Sequence, residues 1–349
     1  GHGYWLVGSD GGVFDFGSAP YQGSLGGQSI PNPIVAVAEA PEPLAVTTEA
    51  VPSATSGLPY SATLQLSPGS GGDVLSATGL PPGLSLEGTT IEGTPASVGP
   101  SEVTLTLSDR LGLTTTSTLW MDVVTPIDWS SSSASQQGRH NWSGWVLEDG
   151  PFTGVSGTFV AASLLAAQPP GCGADGSCAL SEWVGIGGAF GNKGEILQAG
   201  IEETPGSTTG TTDIAAWWEQ YPNPQIDIPG LTVAAGNSLT VNVFEQTPGV
   251  WALQLVDDST GASFTKTVDY SGSAASAEWI LETPELASGL ALLPSFYGPI
   301  DFSGLATTLG PSGSQSSEQA FCLDSAGNAS GVSQLTSDSF ALKDVASCP

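Results

Sequence analysis

Leu239-Thr240-Val241-Asn242-Val243 alternates apolar and polar residues, and Val103-Thr104-Leu105-Thr106-Leu107 does the same. A period of two sends one set of side chains to one face of an extended strand and the other set to the opposite face. Trp251, Leu253 and Leu255 alternate in the same way. Helical periodicity is almost absent. The 47 glycines and 26 prolines, with many Ser and Thr, cut the chain into short runs of this kind. The reading is an all-β protein built of antiparallel two-sheet β-sandwiches.

The 349 residues are enough for two or three domains. Lys and Arg number 5 against 34 Asp and Glu, a formal charge of −29 at pH 7. That balance argues against nucleic acid or an anionic membrane surface as a partner. In strong acid the carboxylates become neutral. The 5 Lys and Arg, 2 His and the amino terminus then leave a charge of only about +8. Such a chain does not repel itself apart in acid, so the composition points to a secreted, extracellular protein of an acidic environment, with a generic acidic secreted or halophilic protein as the alternative. No run of about 18 or more apolar residues is present to span a membrane. No signal peptide heads the chain. Gly1-His2-Gly3 opens inside what reads as a structured unit, so a trimmed form or a fragment is expected. A monomer is expected.

Four cysteines suit two disulfides in an oxidising compartment. Proximity favours Cys172–Cys178 and Cys322–Cys348. Zinc is the rival, but no Cys-x-x-Cys pair or histidine partner supports it, and no metal or organic cofactor is expected.

Residues 1–42 begin with two aromatic runs, Tyr4-Trp5-Leu6-Val7 and Val13-Phe14-Asp15-Phe16, around an Asp10-Gly11 hairpin-turn signal. They resemble one unit of a repeat of secreted actinobacterial proteins, which normally comes in arrays. Residues 43–124 contain Gly57-Leu-Pro-Tyr60, Leu80-Pro-Pro-Gly-Leu-Ser-Leu86, Ile91-Glu-Gly-Thr-Pro95 and Val103 to Asp109. These pieces resemble the immunoglobulin-like domains of bacterial surface and secreted proteins, a smaller β-sandwich module. Residues 125–139 read as a Ser-rich linker with a candidate processing point at Arg139. Residues 140–349 remain for a catalytic domain.

That last region carries ordered blocks: Asn141-Trp-Ser-Gly-Trp-Val-Leu147, Val155-Ser-Gly-Thr-Phe-Val160, Trp183-Val-Gly-Ile-Gly-Gly188, Ile196-Leu-Gln-Ala-Gly200, Ala216-Trp-Trp-Glu-Gln-Tyr-Pro222 and Ala277-Glu-Trp-Ile-Leu-Glu282. In this order they resemble the glutamic peptidases (the eqolisin family) over roughly 141–310. The resemblance implies a concanavalin- or jelly-roll-like antiparallel sandwich and an endopeptidase acting on polypeptide. It places the catalytic glutamine on Gln198 and the catalytic glutamate on Glu278. It sets Trp183 beside them and lines the substrate cleft with Trp217, Glu219 and Tyr221. The sequence departs from the family at Gly187 and Ala215, where acidic residues are usual, and in a slightly longer Trp183–Gln198 loop.

The residues support that chemistry without the resemblance. Strand alternation gives Ile196, Gln198, Gly200 and Glu202 one face, Glu278, Ile280 and Glu282 another, and Trp217, Glu219 and Tyr221 a third. If these faces form the concave side of one sheet, they converge in a groove for an extended peptide, with Glu202 in its wall. A glutamate of pKa near ~4 is a base still available in acid, where histidine is charged. An amide does not titrate, so Gln198 remains an oxyanion donor at any pH. The only histidines are His2 and His140, which disfavours Ser-His or Cys-His chemistry. No His-Glu-x-x-His motif and no Asp-Thr-Gly or Asp-Ser-Gly pair is present.

Two rivals stand beside the peptidase: a non-catalytic β-sandwich binding polysaccharide or peptide, and a peptidase-derived domain that has lost activity. Residues 1–139 read as a spacer, an adhesion device or a pro-region over the cleft. The family's removable pro-segments are often basic and this stretch is not, which speaks against the last.

Overall fold

The computed structural model describes residues 3–36, 43–127, 136–139, 141–172, 177–189, 195–286, 289–311, 313, 317–325, 328–333, 338–345 and 348. Among them every helical or strand element is a strand. His140 lies outside the described residues, as does the Arg139 side chain. The chain divides into two compact units, Gly1–Pro43 and Leu44–Pro349.

In the first unit β1 (Gly3–Val7) and β2 (Val13–Gly17) pair from Gly3↔Gly17 to Val7↔Val13. The turn between them uses Gly11 at φ 79° and an Asp10 Oδ1 that accepts from the Gly12 amide at 3.0 Å. Tyr4 and Phe16 stack with ring centroids 5.0 Å apart, and both stay exposed.

The second unit opens with a small sandwich. One layer is Tyr60–Thr63, Thr90–Gly93 and Leu84–Glu87. The other holds Val74–Thr78, β3 (Gly99–Ser108) and β4 (Thr114–Pro126), with β3 and β4 paired from Gly99↔Val123 to Ser108↔Thr114. Alternation works here as the sequence implies: Val103, Leu105 and Leu107 are buried, and Val103 and Leu105 meet Ile91, Leu119 and Met121 in the core. The expected linker over 125–139 begins later than its composition suggests. Thr125 and Pro126 still belong to β4, and Ile127 is buried in the core of the following sandwich. Gln136–Arg139 is a strand in parallel pairing with 320–323. Serine content marks a linker only where the backbone groups find no ladder, and at both ends of this stretch they do.

The larger sandwich has two layers. The front sheet contains β5 (Trp142–Glu148), β7 (Leu180–Ile186), β8 (Leu197–Pro205), β9 (Thr212–Gln220), β13 (Ala277–Glu282) and β15 (Ser317–Ser325), in the spatial order β15-β5-β13-β7-β8-β9. The back sheet contains β6 (Phe152–Val160), β10 (Ser238–Thr247), β11 (Val250–Asp257), β12 (Ser263–Asp269) and β14 (Ile300–Leu309), in the order β12-β11-β10-β6-β14. Trp145, Val184, Ile186, Leu197, Ala199 and Trp279 from the front meet Val155, Phe159, Val241, Val243, Leu253 and Leu255 from the back in one core. The Trp279 indole crosses the layers and donates to the Ser156 carbonyl at 2.8 Å. Disulfides join Cys172 to Cys178 and Cys322 to Cys348.

Candidate active site

Because the front sheet buries one face in the core, the alternate residues of the same strands must project from its other face. A second apolar cluster forms there from Val146, Trp183, Ala189, Trp217, Ile280 and Phe321. Register decides which polar groups join it. Gly185 on β7 stands opposite Gln198 on β8 and opposite Glu278 on β13. Gln198 in turn stands opposite Glu219 on β9, and Glu278 opposite Val146 on β5. A single transverse row therefore reads Val146–Glu278–Gly185–Gln198–Glu219, with all five on the face turned away from the core. Strands lie about 4.8 Å apart, so Glu278 and Gln198 start roughly 9.5 Å apart at their Cα atoms, with a residue that has no side chain between them.

The glycine is required by the space it leaves. A Cβ on Gly185 would come within 2.9 Å of Gln198 Cβ and 3.1 Å of Trp183 Cζ3. Its absence leaves the gap over β7 open to the Gln198 and Glu278 side chains.

Glu278 is fully buried and Gln198 nearly so. Burial pushes the Glu278 carboxyl well above the ordinary carboxylate range, and the nearby Ser276 hydroxyl and Ala189 amide only partly oppose this. The structure thus differs from the expected value near 4, because strand pairing encloses the group on both sides. Gln198 Nε2 donates to Glu219 Oε2 in a short hydrogen bond. That contact fixes the amide: its nitrogen faces β9, while Gln198 Oε1 accepts no hydrogen bond from the protein. Buried acceptors left without protein donors are a feature of sites that hold a substrate or solvent group. Half-buried Glu219 is itself raised by burial, with Gln198 opposing.

The next row along the sheet is Gly144–Ile280–Trp183–Gly200–Trp217, and the one beyond is Trp142–Glu282–Ser181–Glu202–Ala215. Trp183 and Trp217 are therefore neighbours of the Gln198/Glu278 row, both buried. The Trp183 indole donates to Glu282 Oε2 at 2.9 Å, Asn141 Nδ2 donates to Glu282 Oε1 at 2.8 Å, and Trp142 packs edge-on against Trp183 at 5.1 Å. Burial pushes the Glu282 carboxyl up to about 7 against these donors. Glu202 is partly buried beside Gln225 and Asp227 and is raised by burial. Tyr221, just past β9, is 46% exposed, so of the expected cleft residues it stands furthest into solvent.

Two carboxyls that the sequence did not single out lie on the other face. Glu182 and Glu203 occupy core-facing positions of β7 and β8, fully buried near each other and Ala162. Burial holds Glu182 up to about 8 and Glu203 well above its ordinary value, with mutual repulsion adding to the latter. The signal was available: both break the apolar phase of their strands. Gly187 also has a local reason. Its φ is +85°, and a Cβ there would meet Tyr270 Oη at 2.5 Å. The Tyr270 hydroxyl donates to the Glu195 carbonyl at 3.1 Å and fills the place an acidic side chain would need.

Among curated proteins the chain is 29% identical to Aspergillopepsin-2 of Aspergillus niger over 201 residues, 52% of this chain and 69% of that protein. It is 28% identical to Scytalidopepsin B of Scytalidium lignicola over 146 residues, 41% of this chain and 51% of that protein. A crystal structure of scytalido-glutamic peptidase with a transition-state analogue inhibitor superposes with TM-score 0.49 at 24% identity, covering 59% of this chain and 99% of that one. The aspergilloglutamic peptidase of Aspergillus niger does so with TM-score 0.40 at 27% identity, covering 48% and 99%. An immunoglobulin-like (Ig) domain family matches residues 42–124. The Peptidase A4 family matches residues 140–346, which is more than half of the sequence, and the chain accordingly belongs to that family of eqolisin-type glutamic endopeptidases.

Proposed function

We propose that this chain hydrolyses peptide bonds of extended polypeptides in an acidic, extracellular setting, with Glu278 and Gln198 as the catalytic pair. The observation that carries this reading is the single row Glu278–Gly185–Gln198, with its glycine gap and a Gln198 Oε1 that accepts no bond from the protein. A water held between the two side chains gives a proton to the Glu278 carboxylate and attacks the scissile carbonyl carbon. Gln198 Nε2 carries two protons. One is held by Glu219, and the other faces the oxyanion that forms. Glu278, now protonated, passes its proton to the departing amine nitrogen as the C–N bond breaks. Trp183 and Trp217 give the cleft an apolar floor, and Glu202, Glu219 and Tyr221 stand at its wall.

The upward push on Glu278 shapes the pH dependence. The base form is scarce in strong acid and grows as pH rises, so the acid limb of kcat follows the ionisation of Glu278. The two disulfides suit the same oxidising, extracellular location.

The test is cleavage of a denatured protein from pH 2 to pH 7 beside Glu278→Gln and Gln198→Ala. Loss of the oxyanion donor is expected to lower kcat by about 10²–10³-fold, and loss of the base by about 10²–10⁴-fold. Both variants should keep the wild-type circular dichroism spectrum. If either variant, folded, retains activity within twofold of the parent, the assignment is wrong.

A further inference from the structure

The outer face of the back sheet is the surface whose use the peptidase reading leaves unexplained. Strand alternation directs Ser156 on β6, Asn242 on β10 and Gln254 on β11 away from the core, side by side in one row. On a free sheet these polar groups would meet solvent. All three are buried instead.

Their partners are in the small sandwich. Asn242 Nδ2 donates to the Val51 carbonyl at 3.1 Å, and Asn242 Oδ1 accepts from the Ser53 amide at 3.3 Å and from Ser156 Oγ at 2.9 Å. Gln254 Nε2 donates to the Trp120 carbonyl at 3.1 Å, while its Oε1 accepts from Asn242 at 3.3 Å. At one edge Ser263 Oγ accepts from the Glu49 and Ala50 amides at 2.9 and 3.2 Å. Ala50 and Val51, which have almost no exposed surface, lie at this seam together with Val256. Side chains of one sandwich satisfy backbone groups of the other, which a transient contact between tethered domains does not require.

The covalent connection is equally stiff. β4 is one strand of 13 residues. Its first ten residues pair with β3 inside the small sandwich, and Thr125 and Pro126 at its end pair with Thr307 and Ala306 of β14 in the back sheet. The strand passes from one sandwich into the other without a hinge. The Glu278–Gly185–Gln198 row, in contrast, lies on the outer face of the front sheet, so the small sandwich stands behind the two layers and not over that row.

We propose that residues 44–124 are a permanent rear layer of the peptidase, neither a removable pro-region nor a swinging spacer, and that substrate is cleaved with this layer attached. The second half of the statement rests on the peptidase reading; the first half does not.

The experiment uses the full chain with a recognition sequence for a site-specific protease inserted between Ser130 and Ser135, cut after folding. Association is followed by size exclusion in a Glu278→Gln background, which removes self-digestion. The two pieces are expected to co-elute at micromolar concentration. Asn242→Ala with Gln254→Ala, neither in the cleft, is expected to weaken their association at least tenfold. Activity of the wild-type version is expected to stay within twofold on cutting. Separation of the pieces overturns the rear layer. Co-elution with a manyfold rise in activity on cutting restores a pro-region. Co-elution with no activity before or after cutting leaves the layer standing and sinks the peptidase reading instead.

Discussion

Raising the pH from 4 to 8 should destabilise this protein, and the buried carboxyls set the size of the effect. Burial pushes Asp122 up to about 7, against an ordinary value of 3.8. A carboxyl whose folded pKa lies above its unfolded value binds a proton in the native state that the unfolded chain has already lost. Its contribution is complete below about pH 4 and disappears as pH climbs towards the folded pKa. Each tenfold step in pH across that interval is worth about 1.4 kcal/mol, so Asp122 alone accounts for roughly 4 kcal/mol. Glu282, raised to about 7, keeps part of its surface in solvent, so its share is set lower, at about 2 kcal/mol. Glu182, Glu203 and Glu278 act in the same direction. A native state typically holds 5–15 kcal/mol in total. The melting temperature should therefore fall by at least about 10 °C between pH 4 and pH 8. Thermal unfolding followed by circular dichroism at half-unit pH steps measures it. Salt at 0.5 M distinguishes the cause, because it screens surface repulsion from the net charge but reaches buried carboxyls much less. Asp122→Asn should flatten the slope by its own share. A melting temperature that is constant or rises across this range, or a fall abolished entirely by salt, would refute the argument.

Three further outcomes follow from the site and its supports. Gly185→Ala forces a Cβ to 2.9 Å from Gln198 Cβ. Steady-state kinetics should show kcat down by roughly 10²-fold, with a smaller rise in KM from the 3.1 Å approach to Trp183 Cζ3. Glu219→Ala frees the Gln198 amide to turn and should lower kcat about tenfold, while Glu219→Gln, which keeps an acceptor oxygen, should recover most of it. Opening Cys322–Cys348, which spans 26 residues, should cost about 3 kcal/mol and be visible as a lower urea midpoint; opening Cys172–Cys178, which spans 6, should cost less.

Face assignments were legible in the sequence and register was not. Alternation correctly set Val103, Leu105 and Leu107 inward and grouped Gln198 with Gly200 and Glu202. It carried no statement that Gly185 is the residue between Gln198 and Glu278, because pairing across strands depends on loop geometry between residues far apart in the chain. Composition misled at Thr125-Pro126-Ile127: a proline and a serine run suggest a linker, yet Pro126 sits at the end of β4 where a strand tolerates it. The expected ordinary pKa of Glu278 failed for a related reason. Burial on both flanks follows from its place in the sheet, and nothing local in Ala277-Glu278-Trp279 announces a central strand.

Surface and interior solve one problem in different ways. The surface carries so few Lys and Arg that acid leaves it with little charge to repel itself. The interior also carries carboxyls where most proteins place apolar groups, and burial pushes Asp122, Glu182, Glu203 and Glu278 towards the protonated form. Glu182 and Glu203 show the logic best. Two buried carboxylates near each other repel, and protonation removes that repulsion between β7 and β8, the strands that hold Gly185 and Gln198. Ionising this pair would push apart the two strands that carry Gly185 and Gln198. Glu203→Gln removes the charge and keeps a donor and an acceptor for Glu182. It should extend the pH range over which the folded, active chain survives by half a unit or more, with kcat at pH 4 unchanged. A variant that is less stable at pH 7 than the parent would mean the pair is held ionised by something else, and the acid logic of the core would have to be abandoned.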